Sequence, residues 1–222
     1  MTISLLARDP ETGHLGGAAA TGSLCVGGWV LRGDPRAGMS ASQGTAPSTL
    51  WGEGVLARMA AGACAADAVA ATIFPDPGRG HRQLAALDLS GRGHAFTGAA
   101  SIAVAGAEAR SDAVAAGNML ANDRVIGAAL DGFLAATGDF AARLLAGLTA
   151  AHTAGSDSRG LRSAALLVVG RDMAPLTLRV DMAGEPLAAL AALLAEARRP
   201  PYADWLREVP TLDAPWRGPE RG

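Results

Sequence analysis

The sequence predicts a layered α+β domain, and three observations carry that reading. Half of the 222 residues are hydrophobic, enough to bury a substantial core in a chain of this length. Extended segments come in runs and helical segments in pairs, in the order strands, helix pair, strands, helix pair, strands, helix. Helices arriving in pairs argue against alternating βαβ units, whose crossovers supply one helix at a time. No internal repeat or low-complexity linker divides the chain, so one domain is expected over residues 1–199, with a Pro-rich tail, 200–222, lying on its surface.

The first extended run, Thr2-Ile3-Ser4-Leu5-Leu6-Ala7, reaches Arg8 and stops at Asp9-Pro10-Glu11-Thr12-Gly13, a strong turn signal. A second run, Leu15 to Thr21, is built almost wholly of Gly and Ala, side chains small enough to admit another backbone or a helical layer. Leu24 to Leu31 reads as further strand, and Met39 to Gly44 alternates as another. Helical periodicity then takes over. After Pro47 and Ser48, Trp51, Val55 and Met59 recur every four residues, and Ala65 to Phe74 forms a second helix with Val69 and Ile73 on one face. Pro75-Asp76-Pro77-Gly78 ends it.

Two more strands follow, Gln83 to Leu89 and His94 to Thr97, then a weaker pair around Ile102 to Val104 and Asp112 to Ala116. The next helix is the clearest in the chain. Val125, Ile126, Ala129, Leu130, Phe133 and Leu134 form a wide apolar stripe, with Asn122 placed to cap its start and Gly138 to end it. Asp139 opens a partner helix through Phe140, Leu144 and Leu148. Ser163 to Val169 is nearly all apolar, as in a strand covered on both faces, and Leu176 to Asp181 alternates. A last helix spans Glu185 to Arg198, stopped by Pro200-Pro201.

Charge and composition exclude several functions. The net charge is −2, every cationic side chain is Arg, and aromatics make up only 4%; no basic stripe suits nucleic acid. No apolar stretch approaches the ~20 residues that cross a bilayer, nor does an n-region precede a signal-like segment. A soluble, cytoplasmic protein is expected. Cys25 and Cys64 read as buried small hydrophobes, and four scattered histidines lack ligand spacing, so no metal is expected. Neither a Walker-type Gly-Lys nor a Gly-x-Gly-x-x-Gly spacing is present, and no cofactor is expected.

Candidate site residues are few. Removal of Met1 before a residue as small as Thr would leave Thr2 with a hydroxyl and a free α-amine, a nucleophile carrying its own base. The amine titrates near ~7.7–8.0, within reach of neutral pH. The loop Gly155-Ser156-Asp157-Ser158-Arg159-Gly160 heads a buried strand. There Arg159 could clamp a carboxylate and Asp157 could orient an amine, or the two could form an ordinary surface pair. Asn118, where a strand gives way to a helix, suits an oxyanion donor and equally a turn. Gln43 could bind substrate or cap a strand end, and Arg8 could serve a site or simply hold its hairpin.

Several segments together resemble the bacterial family DUF1028: Thr2 to Asp9, Ala41-Ser42-Gln43, Asp76-Pro77-Gly78-Arg79, Phe96-Thr97-Gly98, Gly117-Asn118-Met119-Leu120, and Asp157 through Leu166. The resemblance extends to about Leu194. It implies a branch of the N-terminal-nucleophile hydrolase fold, a four-layer αββα sandwich of two antiparallel sheets. It further implies a hydrolase of small amide or carbamoyl C–N bonds, with Thr2 as nucleophile and base and Asn118 as oxyanion donor. Asp157 would join them as a catalytic group, while Arg159, Ser163, Gln43 and Arg8 would hold substrate. The alternative is a non-catalytic protein that keeps the fold to bind a metabolite or partner. Two departures stand out: proteasome-like members add a Lys near the nucleophile, and this chain has none. Where relatives carry Ser-Lys after the second strand, it has Thr21-Gly22. A small-molecule substrate and assembly into a homo-oligomer, a dimer in the first instance, complete the expectation.

Overall fold

The first strand, β1 (Thr2–Arg8), buries Ile3 through Ala7 without a break, because both of its faces are covered. Ile3, Leu5 and Ala7 enter a core shared with helices, whereas Leu6 enters a second core. This is the period-two alternation of a pleated strand. A computed structural model describes residues 2–155 and 159–219. The protein is mixed α+β, with two antiparallel sheets and, among the described residues, seven α-helices.

β1 lies inside a six-stranded sheet, between β2 (Leu15–Thr21) and β8 (Ala113–Asn118). Beyond β2 come β9 (Ser163–Val169) and β10 (Leu176–Val180), and beyond β8 the edge strand β7 (Gly106–Arg110). The second sheet has the order β3 (Leu31–Asp34), β4 (Gly38–Gly44), β5 (Arg82–Asp88), β6 (Gly93–Thr97). Helices α4 (Arg124–Ala135) and α5 (Phe140–Thr153) pair against the larger sheet, where α6 (Pro186–Ala197) also packs. Helices α2 (Thr49–Ala60) and α3 (Ala65–Ile73) cover the smaller sheet through Trp51, Val55, Met59 and Val69. Leu6, Leu15, Leu31, Met39, Leu87 and Val114 fill the space where the sheets face each other.

Glycine sets two of these distances. A Cβ at Gly16 would lie 2.5 Å from Leu144 and 2.7 Å from Phe140, and one at Gly132 would lie 2.4 Å from Ala150 Cβ. The Gly/Ala composition of β2 thus lets α5 approach the sheet closely, as its small side chains imply.

The structure departs from the expected elements in four places. Leu24 to Leu31 is not continuous strand: Cys25 takes a left-handed φ of 60° and starts the single helical turn α1 (Val26–Trp29). Gly27 permits that turn to press on β9, since a Cβ there would stand 2.7 Å from Ala165 Cβ. Ile102 to Val104 forms no strand; its carbonyls accept from Met119 and Leu120 at the exit of β8. The strand in that region is β7, whose Ala107 and Ala109 are too small to mark an apolar alternation, and whose Glu108 and Arg110 suit an exposed edge. The expected tail contains a helix, α7 (Tyr202–Glu208). The cysteines are half-buried; the Cys64 thiol sits at the start of α3, accepting from the Asp67 backbone N–H and reaching its carboxylate at 3.1 Å.

Candidate active site

The period-two rule carries the inner faces of both sheets to one end of the molecule. Leu6 faces the opposite sheet, so Ser4 and Thr2 do too. Val114 and Ala116 bring Asn118 to the same side of β8, and Ala19 brings Thr21. On the facing sheet, Met39 and Ala41 extend to Gln43, and Leu87 and Ala85 to Gln83. Antiparallel pairing then sets Thr2 opposite both Thr21 and Asn118, and Gln43 opposite Gln83.

At this end the inner faces open into a cavity of about 570 Å³. Thr2, Thr21, Ser23 and Thr45 line it together with Gln43 and Arg159, and Leu24, Trp29, Val30, Pro47 and Ile102 supply apolar wall. Thr2 Oγ1 stands 3.2 Å from Thr21 Oγ1. Met119, with a left-handed φ of 55°, turns the chain out of β8 and into the wall, a conformation that a non-Gly residue adopts at some cost. A broader depression of about 720 Å³ along α5 carries no acid, base or free nucleophile: its Thr149 and Thr153 hydroxyls donate to helix carbonyls.

Behind Thr2 lies a buried amide cluster. Gln43 Nε2 donates to Gln83 Oε1 at 2.7 Å and to the Ala116 carbonyl at 3.1 Å, with a longer 3.4 Å approach to the Thr2 carbonyl. Asn118 Nδ2 donates to the same Gln83 oxygen at 3.2 Å. Gln83 Nε2 reaches Thr97 Oγ1, the Gly106 carbonyl and the Gly117 carbonyl at 2.8, 2.9 and 3.0 Å. These contacts tie β4 and β5 to the ends of β1 and β8. Gln43 Oε1 is buried and has no hydrogen-bond partner among the described residues.

The candidate residues are therefore distributed unevenly. Thr2, Gln43 and Arg159 line one cavity. Asn118 belongs to the amide cluster and is 2% exposed. Ser163 stands one step behind the wall: its hydroxyl donates to the Ser23 carbonyl at 2.8 Å and accepts the Val26 N–H at 3.2 Å, fixing the loop that bears Ser23 and Leu24. Arg8 is at the opposite end of β1, roughly 20 Å from Thr2 at strand rise, paired with Asp112 at 3.1 Å. Asp157 lies outside the described residues. Thr21, Ser23, Trp29 and Gln83 escaped sequence reasoning, because their roles depend on strand register and on which sheet faces which. The carboxyls held below their ordinary range (Asp34, through its hydrogen bond from Arg36, with Asp88 and Asp172) all lie outside the cavity. Among the described residues, no three His, Cys, Asp or Glu side chains group to hold a metal, and no helix is long and apolar enough to cross a membrane.

The family of unknown function DUF1028 matches residues 2–190. The chain belongs to the DUF1028 family. This DUF1028 protein is also similar to protein SPO2555 from Silicibacter pomeroyi, a member of the same family known from a crystal structure. The two share 50% identity over 99% of each chain, with a TM-score of 0.95. Among curated proteins nothing matches. The DUF1028 match includes Thr2, Gln43 and Arg159, which line the cavity.

Proposed function

We propose that the protein is an amidohydrolase of the N-terminal-nucleophile type, built on an αββα sandwich, that cleaves an amide or carbamoyl C–N bond after removal of Met1. One observation carries this reading: Thr2, the first residue of a central strand, lines a cavity whose other polar side chains carry hydroxyls, an amide and a guanidinium. Helices outside two facing sheets support the sandwich assignment.

In this scheme Thr2 Oγ1 attacks the acyl carbon while the α-amine takes the hydroxyl proton and then delivers it to the departing nitrogen. Water later cleaves the resulting ester. Thr21, hydrogen-bonded to Thr2, holds the nucleophile's rotamer, and the unpartnered Gln43 Oε1 offers the amine an acceptor in the same wall. Asn118, opposite Thr2 in the sheet, donates to Gln83 and in this scheme braces the amide cluster behind the nucleophile.

Intact-mass measurement should find the chain beginning at Thr2. Against a panel of amides, Thr2→Ala should lose at least about a thousandfold in kcat/KM with its circular dichroism unchanged, the scale seen when a covalent nucleophile is removed. A retained Met1 overturns the assignment in favour of a binding protein, and equal turnover by both proteins removes Thr2 from the mechanism.

A further inference from the structure

We infer that the Thr2 cavity takes an N-acyl amino acid whose acyl group is large and apolar, such as an aryl-acyl or medium-chain acyl glycine. The inference rests on the reaction proposed above for the bond that is cleaved, but its carrying observations are separate. They are the shape and polarity of the walls.

Leu24, Trp29 and Ile102 are 46%, 53% and 47% exposed, and all three converge on this one cavity. Large apolar side chains left in water singly need no explanation, whereas a convergent group marks a contact surface. Val30, Pro47 and Met119 continue the apolar wall inward. A volume of about 570 Å³ lies within the range that encloses drug-sized ligands, and a very small amide would leave most of it unfilled.

Charge selects the other end of the ligand. Among the described residues that line the cavity, Arg159 is the only charged side chain. The guanidinium offers a carboxylate paired donors. With an acyl chain on the Leu24–Trp29–Ile102 wall and a carboxylate at Arg159, the reaction requires the linking amide to reach Thr2 Oγ1, whose residue lines the same cavity. Attack by Thr2 Oγ1 then makes an acyl ester and breaks the C–N bond, and the amino acid leaves with the proton relayed by the amine. Water supplies the hydroxyl that completes the free acid and returns the hydrogen to Oγ1.

The test separates binding from turnover. Calorimetry on the Thr2→Ala protein compares N-phenylacetylglycine, its neutral glycinamide and N-acetylglycine, while native protein is assayed for hydrolysis of the same three. N-phenylacetylglycine should bind at least tenfold more tightly than either comparison. Trp29→Ala should erase its advantage over N-acetylglycine, and Arg159→Gln its advantage over the glycinamide. Selective binding with matching turnover supports both inferences. Selective binding without turnover keeps the ligand class and refutes the hydrolase. Turnover without acyl or carboxylate preference keeps the reaction and refutes the ligand class. Neither binding nor turnover refutes both.

Discussion

Gln83 is 0% exposed, yet every polar atom of its amide is occupied. Its oxygen accepts from both Gln43 and Asn118, and its nitrogen reaches across to carbonyls at the ends of β7 and β8. A buried amide with this many partners is worth little while intact and costs much when broken, because each stranded donor or acceptor has no water to turn to. Gln83→Leu is close in size but removes every one of these bonds. Urea unfolding should show a loss on the order of 3 kcal/mol, the penalty for two or more stranded groups. Because Gln43 also approaches the Thr2 carbonyl, kcat should fall more than KM rises. Unchanged stability would mean that the cluster is dispensable. In the proposed reaction Thr2 would depend on neighbours of this kind, since a hydroxyl acts as a nucleophile only when its rotamer and surroundings are fixed.

Asp88 joins two elements. Its Oδ2 accepts the Ala65 N–H at the start of α3, and its Oδ1 accepts from Ser90 and the Arg92 N–H in the turn between β5 and β6. Burial works against ionisation of Asp88, but these hydrogen bonds outweigh it and hold the carboxyl below its ordinary value of 3.8. The native pKa is therefore lower than the unfolded one. The resulting stability is fully present above about pH 4 and is lost as pH falls through the native value. Asp88→Asn should destabilise the protein by about 1–2 kcal/mol at pH 7, as expected for a lost charged cap. It should also flatten the acid limb of stability against pH below about 4; an acid limb identical to that of the native protein would remove Asp88 from the account. Other elements were legible for equally local reasons. The apolar stripe of α4 and the capping aspartate of α5, whose carboxylate accepts the Ala142 N–H, announce themselves at helix spacing. The turn α1 and the strand β7 do not, because a Gly-Gly pair and two alanines set among charged residues carry no apolar periodic signal.

At the scale of the whole molecule, one apolar core and one amide cluster bridge the two sheets, so neither sheet can shed the other without exposing both. Hydrogen exchange should therefore give amides in β1 and β5 opening free energies within about 1 kcal/mol of each other. A gap of several kcal/mol would show that the sheets open independently. The sequence by itself determined the class of fold and most helices and strands, since periodicity, caps and turn chemistry act over a few residues. Only the tertiary structure decided which candidates meet. It gathered Thr2, Gln43 and Arg159 at one cavity, drew Asn118 into the amides behind it and left Arg8 at the far end of the same strand. Which face of a strand looks across to another sheet, and which strand ends lie side by side, are set by register and packing between segments far apart in the chain.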